Sequence, residues 1–147
     1  MNPQDTLDYS LKSVWHAIER MYNSVAQQYG LTQTTGYILI AISKEGTPAT
    51  KIAPVLGMNA TSLARILNTM EENGLIFRKR DETDKRMVKV FLTPLGITKR
   101  KIAKNAIVEF NKYISKNIDN KELADFKQLT GIILELTKSF NHNFITT

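Results

Sequence analysis

Residues 78–93, RKRDETDKRMVKVFLT, concentrate side chains that can bind anions. The stretch holds six lysine and arginine residues and three acids, and such cations donate charge-assisted hydrogen bonds to phosphate or carboxylate groups. From Arg78 to Lys104 the chain holds ten basic residues against the same three acids, within a net charge of +6 and a sequence pI near 9.6. This local excess favours a polyanionic partner, although a run of charge is often only a solvated face.

Length and composition limit the class of protein. A chain of 147 residues with 42% hydrophobic and 23% charged residues is typical of one globular domain. The absence of cysteine excludes disulfides, thiolate metal sites and thiol redox sensing. The N-terminus does not resemble a signal peptide and no apolar run has the length of a membrane span, so we expect a cytoplasmic protein without membrane association.

The sequence offers little that could support catalysis. It has no Gly-rich phosphate loop, no nucleophile–base pair and no metal-binding motif, and its two histidines, His16 and His142, lie far apart. We therefore expect neither enzymatic activity nor a bound cofactor or metal.

Helical periodicity dominates both ends of the chain. Apolar residues at steps of three and four predict a long amphipathic helix over 5–29, and Thr32 is placed to cap a second helix. Thr93, which a proline follows, predicts the start of a fifth helix. Asp119 predicts the cap of a sixth helix that continues to about Asn141.

The middle of the chain has the element order of a winged helix-turn-helix. Thr50 is placed to cap a short third helix that stops at Gly57, and Asn59 to cap a fourth. Residues 75–80 and 87–93 carry the β-branched and aromatic residues of a hairpin. The predicted fold class is mainly α with a small β-hairpin, a winged helix-turn-helix core flanked by N- and C-terminal helices.

The fourth helix is suited to the major groove of DNA, because such a helix reads base edges with its N-terminal residues. Its first turns carry polar side chains on the outward face, and the candidates for DNA contact are Asn59, Thr61, Ser62 and Arg65. The alternative is that Thr61 and Ser62 only begin the helix and that Arg65 is a solvated side chain.

The loop of the hairpin is suited to the minor groove. Lys85 and Arg86 at its tip can place positive charge where the negative potential of DNA is focused. Asp84 lies two residues before Arg86 and is expected to pair with it and direct its side chain outward. The alternative is an exposed ion pair worth about 0–1 kcal/mol.

These motifs together resemble the MarR family of bacterial transcriptional regulators. The shared pattern is a helix-turn-helix followed by "EE.GL", "D..D.R" and "LT..G" segments. Here they correspond to Glu71-Glu72 with Gly74-Leu75, to Asp81 with Asp84 and Arg86, and to Leu92-Thr93 with Gly96. The resemblance covers nearly the whole chain, because the flanking helices also match in number and length.

The resemblance implies a homodimer that binds a pseudo-palindromic DNA operator, usually to repress transcription. It implies a single domain over 1–147, with the winged helix-turn-helix at about 32–93 and dimerisation helices at about 5–29 and 94–145. Asn59, Thr61, Ser62 and Arg65 would then lie on the recognition helix. Arg86 would be the minor-groove residue, with Asp84 as its orienting partner and Lys85 in place of a commoner arginine.

Two features of the terminal helices favour the dimer independently of the resemblance. The stripes of apolar residues over 5–29 and 119–145 are wider than one small chain easily covers, and Phe140, Phe144 and Ile145 stand close to the C-terminus. The alternative is that all of these residues pack within a single chain.

Many members of the family release DNA when a small aromatic or anionic effector binds. Candidates to line such a site are Trp15, His16, Tyr22 and Tyr37 from the first two helices, and Gly36 is expected to leave extra room there. An equally good interpretation is that Trp15 and Tyr37 belong to the core and that His16 is a surface residue.

Three other functions remain open from the sequence. An enzyme would show turnover of a substrate. A winged helix used for protein–protein contact would not need its charged wing. A non-specific nucleic-acid-binding protein would show steep salt dependence and no preferred palindrome.

Overall fold

The computed structural model describes residues 1–140 and confirms the predicted fold class. A 3-10 turn at Pro3–Asp5 precedes six helices and three strands, which are α1 (Leu7–Gln27), α2 (Gln33–Ala41), β1 (Thr47–Pro48), α3 (Ala49–Val55), α4 (Ala60–Glu72), β2 (Ile76–Arg80), β3 (Val88–Leu92), α5 (Pro94–Asn117) and α6 (Asn120–Ser139). The contacts divide the chain into two compact units, one of Met1–Ile107 and one that begins at Val108. The single-domain assignment stays a prediction, and Phe144 and Ile145 lie outside the described residues.

Three predicted helix caps are present. The hydroxyl of Thr32 accepts the backbone N–H of Thr35 at 3.1 Å at the start of α2. The Asn59 side chain accepts the N–H of Ser62 at 2.8 Å at the start of α4. Asp119 caps α6 within a capping box. Each cap satisfies backbone donors that have no partner inside the helix.

The predicted cap at Thr50 is wrong. Helix α3 begins at Ala49, two residues earlier than a cap at Thr50 predicts, directly after Pro48 and without a side-chain cap. The reason is a strand that the sequence did not reveal: Thr47 and Pro48 form β1 and pair with β3, so that the sheet has the order β1-β3-β2. Two residues that include a proline carry no alternating pattern, and the KEGTP segment looked like a loop.

The core of the first unit lies between α2, α3, α4 and the sheet. Its fully buried side chains are Ile38, Leu39, Ile42, Ile52, Leu63, Leu67, Met70, Ile76 and Val90. They include residues of the apolar stripe of α4, Ile76 on β2 and Val90 on β3. Burial of these side chains holds the helix-turn-helix against the hairpin, because each contributes about 1.5–3 kcal/mol of transfer free energy.

A glycine allows the loop before β1 to contact the hairpin. Gly46 has a φ of +79°, and a Cβ at this position would lie 2.5 Å from the ring of Phe91. The Phe91 ring stacks in turn on Phe77 of β2, with ring centroids 5.3 Å apart. The Phe91 ring at the base of the hairpin is thus packed between the backbone of Gly46 and the ring of Phe77.

The "LT..G" segment joins the hairpin to α5. The Thr93 hydroxyl donates to the carbonyl of Gly74 at 2.6 Å and accepts the N–H of Gly96 at 3.0 Å. A Cβ at Gly96 would lie 2.0 Å from the carbonyl oxygen of Leu75, so only glycine allows this approach. The end of α4 and the start of α5 are therefore fixed to each other. None of the helices within residues 1–140 is long and apolar enough to cross a bilayer.

Candidate nucleic-acid interface

The N-terminal part of α4 presents polar side chains to solvent. Asn59, Thr61, Ser62 and Arg65 are all exposed, while the opposite face of the helix lies in the core. The Asn59 side chain caps the helix by accepting the N–H of Ser62. The first turns of α4 therefore present Thr61, Ser62 and Arg65 as outward-facing hydrogen-bonding groups. This is the arrangement that a helix needs if its first turns are to read a groove.

Helix α4 and strand β2 are joined by a network around Arg78. Its guanidinium donates to Glu71 Oε2 through Nε at 2.9 Å and through Nη2 at 2.5 Å, and Nη2 also donates to Asn68 Oδ1 at 2.8 Å. The backbone N–H of Arg78 donates to Glu71 Oε1 at 2.9 Å. The hydrogen bonds from the Arg78 side chain hold the pKa of Glu71 below its usual range. We did not foresee this network, although Glu71 belongs to the "EE.GL" segment.

The acids of the hairpin loop fold the loop itself. The Asp81 carboxylate Oδ1 accepts the backbone N–H groups of Thr83 at 2.9 Å and Asp84 at 3.0 Å, together with the Thr83 hydroxyl at 2.5 Å. The backbone N–H of Met87 donates to the carbonyl of Asp84 at 2.9 Å and closes the turn. These bonds give the "D..D.R" segment a structural role of the kind that Asp plays in tight turns.

Asp84 contacts Arg86 differently from the prediction. Its Oδ1 accepts the backbone N–H of Arg86 at 3.0 Å, and no ion pair joins the two side chains within residues 1–140. A carboxylate two residues away reaches the backbone more easily than the end of a long guanidinium in this turn. Asp84 therefore orients the Arg86 backbone, while the Arg86 side chain extends into solvent next to Lys85.

Lys89 is held by the loop acid that starts the turn. Its ammonium pairs with Asp81 Oδ2, and the side chain of Asp81 is only 10% exposed. Hydrogen bonds from Lys89, then from the Thr83 hydroxyl and the loop backbone, keep the pKa of Asp81 well below its usual range. Lys89 therefore stabilises the loop through its pair with Asp81.

The ten basic residues of the window divide into two groups. Four are bound cations with partners inside the chain: Arg78, Lys89, Lys99 Nζ on the Tyr29 carbonyl at 2.5 Å, and Arg100 Nη1 on the Ile42 carbonyl at 2.9 Å. Six are outward cations, exposed and without an ion pair or side-chain hydrogen bond in the part of the chain that the structure describes: Lys79, Arg80, Lys85, Arg86, Lys101 and Lys104. The count from sequence thus overstated the charge available to a partner.

Two of the four predicted effector residues come together. Tyr22 and Tyr37 meet edge to face, with ring centroids 6.3 Å apart, and line a cavity between α1, α2 and α5. Burial, and then Tyr37, raises the pKa of Tyr22 to about 12. The cavity measures about 30 Å³, which is room for about one water molecule. A Cβ at Gly36 would lie 3.2 Å from that of Ala103, so the extra room expected there is filled by α5.

Trp15 and His16 do not join this cavity. Trp15 lies in an open groove, and Tyr37 lines this groove as well, together with Glu19. The Nδ1 atom of His16 lies 3.2 Å from Glu19 Oε2 on the exposed face of α1. Tyr37 therefore lies between the cavity of Tyr22 and the groove of Trp15, and His16 reaches the edge of that groove only through Glu19.

Sequence comparison shows which known proteins the chain is similar to. A profile described as the MarR family matches residues 29–87, and the HTH-type transcriptional regulator MgrA of Staphylococcus aureus is 26% identical over 136 residues, 90% of each chain. The chain is thus similar to the MarR family over residues 29–87. A second regulator of this type, TtmR of Methylorubrum extorquens, is 30% identical over 91 residues. That alignment covers 61% of this chain and 47% of TtmR, so it spans about half the length of that relative.

Two solved structures share the fold. A DNA complex of MepR from S. aureus superposes with a TM-score of 0.80 at 22% identity, over 89% of this chain and 98% of MepR. CouR of Rhodococcus jostii RHA1, bound to p-coumaroyl-CoA, superposes with a TM-score of 0.79 at 20% identity, over 88% and 92% of the two chains. At this level of identity the likeness establishes the winged helix-turn-helix architecture.

Proposed function

We propose that the chain is a sequence-specific, DNA-binding transcriptional regulator that acts as a homodimer and responds to a ligand. The observation that carries the proposal is the exposed N-terminal face of α4 beside a wing with outward cations. Thr61, Ser62 and Arg65 supply donors and acceptors for base edges, and Arg65 is suited to a guanine or a phosphate. DNA binding by the structural neighbour MepR, which has the same fold, supports this role.

The wing contributes affinity more than sequence discrimination. Lys85 and Arg86 extend from a loop that Asp81 and Asp84 fold through backbone hydrogen bonds, so the two cations are presented on a preformed turn. Cations of this kind bind phosphates or enter a narrow minor groove. The wing therefore strengthens binding to any duplex, while α4 selects among duplexes.

A second copy of the chain covers apolar surface that one copy leaves in water. Helix α6 has no buried residue among those described, and Phe126, Leu129 and Leu136 are 55%, 58% and 60% exposed. On α1, Leu7 and Val14 are each 57% exposed. Apolar faces of this extent mark association surfaces, and a twofold dimer would present two recognition helices to two half-sites. Half-sites about one helical turn apart would match such symmetry.

Regulation by a ligand and the absence of catalysis complete the proposal. CouR, a neighbour of the same fold, binds p-coumaroyl-CoA, which supports an aromatic or anionic effector here. The relatives found are named as transcriptional regulators, which supports regulation as the function here. The site of action is the cytoplasm, where bacterial DNA is found. Repression is the mode we favour, because it is usual for the family.

Selection of bound duplexes from a random DNA pool, at near-physiological salt, tests this function. We expect recovery of an inverted repeat whose half-sites lie about one turn apart. A pool without any motif, combined with binding that disappears as salt rises, would instead establish a non-specific binder. No DNA binding at all would direct attention to protein–protein contact.

A further inference from the structure

The hydrogen bonds of Arg78 join α4, which presents the candidates for base contact, to the strand that leads to the tip of the wing. The backbone N–H of Arg78 donates to Glu71 Oε1, and its guanidinium donates to Glu71 Oε2 and to Asn68 Oδ1. Asn68 follows Arg65 by three residues on α4, so it lies one turn further along the same side of the helix. The junction between α4 and the wing therefore begins one turn from the residues proposed to read bases.

Arg78 is the last residue of β2 that is attached to a helix. It pairs with Val90 of β3, whose side chain is fully buried in the core. Beyond this pair, residues 79–88 make no hydrogen bond or ion pair to any helix within residues 1–140. The positions of Lys85 and Arg86 therefore depend on how firmly β2 is held at Arg78.

The junction requires the shape of an arginine as well as its charge. A planar guanidinium donates in one fixed geometry to the carboxylate of Glu71 and the amide oxygen of Asn68, whereas a lysine ammonium keeps the charge but lacks this fork. The side chains of Arg78 and Glu71 are 33% and 36% exposed, so water screens their attraction and limits its contribution to stability. A link with several directed bonds and a small effect on stability is suited to positioning.

We propose that Arg78 is a specificity-determining positioning residue that, with Asn68 and Glu71, fixes the distance between the base-reading end of α4 and the tip of the wing. The inference rests on the proposed function, in which α4 enters the major groove and the wing enters the adjacent minor groove. A fixed distance makes affinity depend on where the narrow part of the minor groove lies relative to the half-site. DNA that is narrow elsewhere has to be deformed, and the deformation costs free energy even at base pairs that the protein does not contact.

A direct phosphate contact is the rival role for Arg78. Its Nη1 has no acceptor within residues 1–140, so it could donate to a phosphate. A phosphate contact needs positive charge, whereas positioning needs the fork of the guanidinium. Arg78→Lys keeps the charge and removes the fork, and it therefore separates the two roles.

Binding to a set of duplexes that differ only in the position of a short A·T tract tests the proposal. Each duplex carries the inverted repeat recovered from the random pool, and the tract, which narrows the minor groove, lies at successive distances outside the half-sites. The parent should bind best at one position and about tenfold more weakly when the tract moves by two base pairs, about 7 Å along the axis. In Arg78→Lys the same shift should reduce affinity only about twofold, because the wing can follow the groove.

Arg80→Lys is the matched control. It makes the same substitution two residues further along β2, at an exposed side chain without a hydrogen bond or ion pair in the described part of the chain. This control should keep the parent's dependence on tract position, whatever its affinity. Arg78→Lys should also keep the parent's discrimination against a changed base pair inside the half-site, because α4 retains its base-reading residues. A dependence on tract position that survives in Arg78→Lys would overturn the proposal, and so would an equal loss of half-site discrimination.

Asn68→Ala tests the junction from the side of α4. The Asn68 amide oxygen accepts a hydrogen bond from Arg78, whereas Asn73, at the C-cap of the same helix, is exposed and has no side-chain hydrogen bond within residues 1–140. Asn68→Ala should weaken the dependence on tract position to about fivefold, and Asn73→Ala should leave it unchanged. Combining Asn68→Ala with Arg78→Lys should add nothing further, because both changes remove the same link. Additive effects would show that Asn68 acts on DNA by itself and would overturn its place in the junction.

Failure of the proposed function is distinguishable from failure of this inference. A parent that selects no repeat from the random pool contradicts the function before any variant is made, and the inference with it. A parent that selects a repeat but binds every tract position equally contradicts the inference alone.

Discussion

The junction between α4 and the wing, and the tip of the wing, use positive charge differently. At the junction, the Arg78 guanidinium donates to Glu71 and Asn68 of α4. At the tip, Lys85 and Arg86 extend into solvent, while the neighbouring acids accept hydrogen bonds from the loop backbone. The junction sets where the wing stands relative to α4, and the tip presents unpaired positive charge to solvent.

The contrast shows why basic composition alone is a poor measure of a nucleic-acid interface. Each of these cations adds one positive charge to the sequence total, but only an unpaired cation releases counterions when it meets a phosphate. A cation that is already paired stabilises the fold and positions its neighbours. The two kinds should therefore respond oppositely to mutation, one mainly in DNA affinity and the other mainly in stability.

Among substitutions at the tip of the wing, Arg86→Ala should reduce DNA affinity most. Loss of one charge-assisted hydrogen bond costs about 1.5 kcal/mol, and a dimer loses two, so affinity for any duplex should fall about 100-fold. The melting temperature should not change, because the side chain has no partner within residues 1–140. Electrophoretic mobility shifts and thermal unfolding measure the two quantities.

Lys121→Ala is the matched control for Arg86→Ala. It removes the same charge from an exposed position in the first turn of α6. The control should retain parental affinity at every salt concentration. If both variants lose affinity equally, the effect is one of net charge and the wing has no special role.

Among substitutions at the junction between α4 and the wing, Glu71→Ala should reduce stability most. The substitution removes the acceptor of three hydrogen bonds from Arg78, and the partial exposure of both side chains limits the cost to about 1 kcal/mol. The melting temperature should fall by about 3 °C. DNA affinity should fall less than for Arg86→Ala, because the tip keeps its charge but loses its fixed position.

Glu72→Ala provides the comparison for this variant. Glu72 is exposed at the end of α4 and has no hydrogen bond or ion pair in the described part of the chain. Its loss should leave the melting temperature within about 1 °C of the parent. Equal melting temperatures for Glu71→Ala and Glu72→Ala would show that the hydrogen bonds between Glu71 and Arg78 do not stabilise the position of the wing.

The sequence predicted the elements better than it predicted their connections. Helix caps such as Asn59 and Asp119 are local, so one side chain and the next three residues determine them. Strand β1 depends instead on pairing between Thr47 and Val90, which lie far apart in the chain. The Arg78 network likewise joins residues seven and ten positions apart across two elements. Long-range pairing leaves little local pattern, and both features were missed for that reason.

The candidate sites follow the same division. The outward face of α4 was predictable, since the cap at Asn59 and the apolar stripe fix which side of the helix is buried. The lack of room beside Tyr22 and Tyr37 was not, because aromatic character in α1 and α2 does not reveal whether neighbouring elements leave space. Ala103 of α5, which lies far from Gly36 in the chain, closes that space.

Arg65→Ala should distinguish contacts with base edges from contacts with phosphates. We expect it to reduce discrimination between a selected operator and random duplex by about 1 kcal/mol per half-site, roughly fivefold, with a smaller loss on random DNA. Competition binding against unlabelled random duplex measures the ratio. An equal loss on both duplexes would place Arg65 on a phosphate and leave base reading to Thr61 and Ser62.

Asp81→Asn should give the smallest effect, visible mainly in its dependence on pH. The pKa of Asp81 in the fold lies below its unfolded value of about 3.9, chiefly because of Lys89, so its stabilising contribution is fully present above that value. The parent should therefore exceed the variant in melting temperature by a constant amount from about pH 7 to about pH 5. The difference should shrink as the pH falls below about 4, where the carboxylate of the unfolded chain and then that of the folded chain take up protons.

Glu82→Gln, which removes a carboxylate that accepts no hydrogen bond within residues 1–140, should show no such difference. A gap that closes already above pH 5 would mean that the Lys89–Asp81 pair does not hold the loop, and the tip would then be less preformed than its hydrogen bonds indicate.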